Sequence, residues 1–155
     1  MKILIGTPVH REGAYALEKY LANQKQIQQN SPDCDLVFST DDIGYVDELK
    51  KLLHQWKLRG TVITHKVEKP GYAKSRLWNI SSARESIRKY FLSQPEAERL
   101  LFLDADMTYE PTVISTMEKE MEHKFSATLC FRDLLSAMLS FQTVLYLLTY
   151  TGKVG

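Results

Sequence analysis

The chain has 155 residues, 44% of them hydrophobic and 25% charged, which describes one ordinary globular domain with a real core and excludes a disordered or fibrous class. A formal net charge of +1 supplies no electrostatic footprint for nucleic acid, and none is expected as a partner. The two cysteines, Cys34 and Cys130, stand outside any CxxC spacing and argue against a disulfide scaffold or zinc site, so a reducing compartment is expected.

"MKILIGTPVH" carries one lysine and too short an apolar run for a signal peptide, which makes the cytoplasm the expected address. The stretch reads as a buried strand closed by a Gly-Thr-Pro turn. "AYALEKYLANQKQIQ" follows as a helix with Ala14, Leu17 and Leu21 on one face. "CDLVFSTDD" is a second strand, ending in Asp41 and Asp42. In "YVDELKKLLHQWKLRG" the residues Val46, Leu49, Leu53 and Trp56 repeat at helical spacing, with Gly60 as the expected stop. "TVITHKV" is a third strand, and the turn-rich loop "EKPGYAKS" carries Tyr72 and Lys74. A helix from about Arg76 to Leu92 precedes the strand "RLLFL". Pro111 opens a short helix striped by Val113, Ile114, Met117 and Met121. "KFSATLCF" alternates with Phe125, Ala127, Leu129 and Phe131 on one face.

Strands alternating with helices predict an α/β fold, a mostly parallel sheet flanked by helices on both sides. Residues 1–131 form the expected α/β core of a single domain spanning 1–155. Residues 132–155 are an apolar C-terminal segment, uncharged from Leu134 to Gly152 but interrupted by Ser136, Ser140, Gln142 and several threonines. A buried helix-strand unit or a homo-oligomer surface is expected of it; membrane contact is the lesser expectation.

In such a sheet ligands collect beyond the carboxyl ends of the strands, where this sequence places Thr7, His10, Asp41, Asp42, Asp104 and Asp106. The run "LLFLDAD" ends with two carboxylates, and a buried carboxylate needs water, a cation or a donor. An Asp-x-Asp at a strand end offers oxygens to Mg²⁺ or Mn²⁺, which phosphate oxygens of a ligand can also hold. In a strand, positions i and i+2 point to the same side. Helix capping and turn formation is the alternative use of the pair. Arg76 and Arg84 fall on the apolar face of their helix with Ile80, Ala83, Ile87 and Phe91, so each needs a partner, a diphosphate or an aspartate of the metal site. Asp41 and Asp42 serve either as helix caps or as a nucleobase or ribose contact. Lys74 stands in a loop that can close over phosphates. His54 and His65 carry no expected role.

The pattern resembles the nucleotide-sugar-binding half of a GT-A fold glycosyltransferase of the family-two-like kind, with a Rossmann-like nucleotide-binding domain. "ILIGTPVH" is similar to the family's opening strand, "VFSTDD" to its second strand with an acidic end, and "RLWNISSARESIRKYF" to its Ala-Arg-Asn-type helix. "LLFLDADM" is similar to its metal motif. The resemblance covers about residues 1–115. It implies a nucleotide-sugar-dependent enzyme that binds a nucleotide-diphosphate sugar and transfers the sugar to an unknown acceptor. It also implies nucleotide-sugar contacts at Thr7, Pro8, His10, Asp41, Asp42, Lys74, Arg84, Asp104 and Ala105, and metal ligands at Asp104 and Asp106. Glu85 stands where the family often has asparagine, and 49 residues follow Asp106. Asp133 is the one late aspartate and the candidate catalytic base. Two other readings stay open. One is a non-catalytic truncated transferase that binds nucleotide or assembles with a partner. The other is a haloacid dehalogenase-like phosphatase, in which Asp104 is the nucleophile and Asp106 the acid-base partner.

Overall fold

Four parallel strands, Lys2–Pro8 (β1), Cys34–Thr40 (β2), Gly60–Thr64 (β3) and Ala97–Phe102 (β4), form the sheet, in the order β3-β2-β1-β4. A two-residue strand, Leu147–Leu148 (β5), pairs antiparallel on the outer edge of β4. The structure, a computed structural model, describes residues 2–66, 76–123 and 147–148. Lys74, the "KFSATLCF" stretch, Asp133 and all but two residues of the uncharged segment lie outside the described residues. Within them, no helix is long and apolar enough to cross a membrane.

The strands are apolar on both faces because helices cover both, which is why their sequences read as continuous hydrophobic runs. Ile3, Ile5, Leu36, Phe38, Leu101 and Leu103 pack on one side against Ala14–Asn30 (α1), Val46–Trp56 (α2) and the start of Val113–His123 (α4). Leu4, Val37, Leu100 and Phe102 pack on the other against Arg76–Leu92 (α3), through Ile87 and Phe91. Each fully buried side chain of this kind contributes about 1.5–3 kcal/mol. Gly6 lies on the α3 side, where an added Cβ would stand 2.6 Å from Ile87 Cγ2; only a bare backbone lets α3 come this close to β1. Cys34 is fully buried and its thiol is pushed up to about 12 by desolvation, which leaves it inert.

Two local expectations change. Ala14 is exposed; the buried stripe of α1 is Leu17, Tyr20, Leu21, Gln24, Ile27 and Gln28, so the helix is rotated toward its later, bulkier positions. Helix α2 ends at Lys57, a residue in the left-handed conformation (φ 56°), and not at Gly60. Gly60 instead opens β3, where a Cβ would meet Leu36 at 2.9 Å.

Candidate functional site

A cleft of about 630 Å³ opens beyond the carboxyl ends of β1, β2 and β4, within the size range of small-molecule sites. Its position follows from the topology. The order reverses at β1, with β2 on one side and β4 on the other, and the loops leaving neighbouring strands part there. Pro8, Val9 and His10 line it after β1, Ser39 and Asp41 at the end of β2, and His65 after β3. Helix α3 adds Arg76, Asn79, Ile80, Ala83 and Arg84, and Asp104, Ala105 and Asp106 close the wall after β4.

At the β4 end, Arg84 Nη2 donates to Asp104 Oδ1 at 3.0 Å, with side-chain exposures of 20% and 34%. The Arg84 guanidinium also lies 5.6 Å from the Phe102 ring centre. Ala83 and Ile87 pull this face of α3 onto the sheet, so the arginine between them reaches the aspartate without a long excursion into water. The Asp104 N–H donates to Tyr109 Oη at 2.9 Å. Tyr109 is held in turn by Asn23, a buried residue of α1. Its Nδ2 donates to the Tyr109 carbonyl at 2.7 Å, and its Oδ1 accepts the Tyr109 N–H at 2.9 Å. Burial pushes the Tyr109 hydroxyl above its ordinary range, so it stays a protonated partner for the loop.

Strand β4 stops at Phe102, and Ala105 and Asp106 form a turn. The same-side argument for strand positions i and i+2 therefore does not apply, although both carboxylates line the cleft. Asp106 is exposed. Among the described residues no group of three His, Cys, Asp or Glu side chains converges. Two carboxylates fit a hard divalent ion that keeps water and ligand oxygens in its remaining positions, and do not fit an all-protein cage.

The β2–β3 end is built differently. His65 is buried, with Nδ1 2.9 Å from Ser39 Oγ and Nε2 2.6 Å from Asn79 Oδ1; Asn79 Nδ2 donates to Asp41 Oδ2 at 2.7 Å. Because Asn79 Oδ1 can only accept, the bond assigns a proton to His65 Nε2; in the neutral ring Nδ1 then accepts from the Ser39 hydroxyl. Every donor in this chain points toward Asp41. His10 Nδ1 accepts the Glu12 N–H at 3.3 Å, capping the short turn Arg11–Gly13, and its Nε2 stands 3.6 Å from Asp41 Oδ1.

The expected site residues divide accordingly. Pro8, His10, Asp41, Arg84, Asp104, Ala105 and Asp106 line the cleft. Thr7 does not. It alternates onto the α1 side with Ile3 and Ile5, fully buried, its Oγ1 2.6 Å from Tyr20 Oη. Asp42 turns away to Arg11, whose Nε donates to its Oδ2 at 2.7 Å and holds its carboxyl below the usual range. Lys74 and Asp133 lie outside the described residues. Sequence reasoning missed His65, Asn79, Asn23 and Tyr109. Asn23 stands beside a core stripe that also holds Gln24 and Gln28, a local signal of buried polar contacts on α1.

No family model matches the chain, and no curated protein matches it either. Among solved structures it is similar to S. aureus TarS 1–349, a glycosyltransferase, with a TM-score of 0.52 and 15% identity. The match covers 79% of this chain and 33% of that one, so the chain spans about a third of the length of this relative. The likeness is one of fold: an α/β domain with a parallel sheet flanked by helices, as in that structure.

Proposed function

We propose that the cleft binds a nucleotide-diphosphate sugar with Mg²⁺ or Mn²⁺ and that the protein transfers the sugar to an acceptor. One observation carries this reading. A single cleft at the strand carboxyl ends holds a carboxylate at its β2 edge and an arginine-paired carboxylate motif at its β4 edge, a span suited to a ligand with a nucleoside at one end and phosphates at the other. A GT-A arrangement of the family-two-like kind accounts for the same layout.

In this reading Asp41 accepts a hydrogen bond from the nucleoside, while Asp42 stays with Arg11. Asp106 and Asp104 hold the ion, which when bound neutralises charge building on the departing diphosphate. Arg84 orients Asp104 and brings a fixed guanidinium to the same wall, the geometry that recognises phosphate oxygens. Asn23 and Tyr109 keep the 104–109 turn in place as the ligand enters. Asp133 remains the proposed base. The cleft reaches from Asp104 to Asp41, more than a single phosphate needs, which favours this reading over a phosphatase.

The test is incubation with UDP- and GDP-sugars and MnCl₂, following release of free nucleotide. Slow hydrolysis of one donor, lost in Asp106→Ala, is the expected result. Binding without hydrolysis would favour the binding-only reading. Neither binding nor hydrolysis, with phosphate release from p-nitrophenyl phosphate, would replace the transferase reading by the phosphatase one.

A further inference from the structure

A buried histidine, His65, and a half-buried asparagine, Asn79, belong to none of the roles above, yet both lie in the cleft wall and end on Asp41. We infer that the Ser39–His65–Asn79 chain is a positioning device that fixes the orientation of Asp41 for the nucleoside end of the ligand. This rests on the donor-site reading and deepens it.

A buried histidine and a half-buried asparagine are costly unless their polar atoms are paired, and here each ring nitrogen and each arm of the amide has one partner. Nothing about packing alone requires them. An apolar pair would cover the same space at the end of β3 without the desolvation cost. What the chain achieves is local: Asn79 occupies Asp41 Oδ2, which locks the rotation of the carboxylate. Asp41 Oδ1 is buried and, among the described residues, has no hydrogen-bond donor, with His10 Nε2 at 3.6 Å. Because Oδ1 is closed to solvent while the side chain as a whole stays 28% exposed in the cleft wall, a ligand N–H or O–H meets the carboxylate at its open edge, whose direction the Asn79 bond fixes. The direct donor, Asn79, carries no charge, so this bond orients Asp41 without forming an ion pair. Asn79 and His65 thus act through Asp41; the Asn79 carbonyl places the proton on His65 Nε2, and Ser39 fixes the ring at its other nitrogen.

The test is calorimetric titration of UDP and GDP, and separately of inorganic pyrophosphate, all with MnCl₂. Asn79→Ala should weaken the nucleotide that binds by about tenfold, the scale of one well-placed hydrogen bond to a charged group. Pyrophosphate affinity should stay within about twofold, since phosphate contacts are made at the other end. His65→Ala should follow Asn79→Ala, and His65→Gln, whose amide still donates, should recover most of the loss. In an Asp41→Ala background, Asn79→Ala should cost nothing further. Equal losses for both probes, or the same cost with and without Asp41, would overturn the inference while leaving the donor site standing. Pyrophosphate binding without nucleotide binding by the wild type would also overturn it. A wild type that binds none of the probes would remove the donor-site reading, and this inference with it.

Discussion

The two ends of the cleft hold their aspartates by opposite means. At the β4 end Asp104 is paired with a cation, Arg84, so its charge is partly balanced within the protein. At the β2 end Asp41 is held by an amide, itself held by a histidine and a serine, with His10 Nε2 3.6 Å from its other oxygen and, among the described residues, no lysine or arginine paired with it. A charged partner prepares a carboxylate to share its surroundings with phosphate and metal. A neutral one leaves it a full-strength acceptor. In the proposed reading this contrast divides the labour between the nucleoside and diphosphate ends.

Helix α3 supplies both partners, Asn79 and Arg84, so its close seat on β1 should matter to both ends at once. Gly6→Val puts a branched side chain where a single Cβ already lies 2.6 Å from Ile87. We expect it to cost about 1–3 kcal/mol, a fall of roughly 3–10 °C in melting temperature, and to weaken nucleoside and diphosphate recognition together. A variant with unchanged melting temperature would show that α3 does not sit on β1 so tightly. Arg84→Gln should separate the ends, weakening nucleotide and pyrophosphate alike by about tenfold to hundredfold, while a free nucleoside binds as before. Loss of nucleoside affinity in the same variant would erase the distinction.

Tyr109→Phe removes the acceptor of the Asp104 N–H and should loosen the β4 turn alone. About 1 kcal/mol, or roughly fivefold in pyrophosphate affinity, is expected. The smallest effect belongs to Arg11→Ala. Arg11 holds the Asp42 carboxyl below its ordinary range, so their pairing adds stability above the unfolded carboxylate range and loses it as pH falls through the depressed folded value. Acid unfolding midpoints compared between wild type and variant should converge at low pH, and nucleotide affinity at neutral pH should stay within about twofold. A larger effect on binding would return Asp42 to the site.

Much of this was legible because it follows from period and position. Continuous apolar runs such as Leu36–Phe38 and Leu100–Leu103 identify strands covered on both faces, and a carboxylate directly after one must stand at an edge. Thr7 shows where that reasoning stops. It was placed at the strand end by sequence position, but one step of the alternation turns it into the core toward Tyr20. His65 and Asn79 carried no signal of their own. They are 14 residues apart, on different elements, and only the docking of α3 against the end of β3 brings them to 2.6 Å. Gly60 misled because glycine serves both to stop helices and to admit a close neighbour, and here Leu36 required the second.

The most direct measurement is calorimetric titration of UDP and GDP, with and without Mn²⁺, into the wild type, Asp106→Ala and Asp41→Asn. The account predicts metal-dependent binding of one nucleotide. Asp106→Ala should lose the metal dependence and keep a weak metal-independent affinity. Asp41→Asn should bind more weakly in both conditions and keep its response to Mn²⁺. Binding that ignores Mn²⁺ in every protein, or two variants with the same defect, would contradict a cleft with two separately prepared ends.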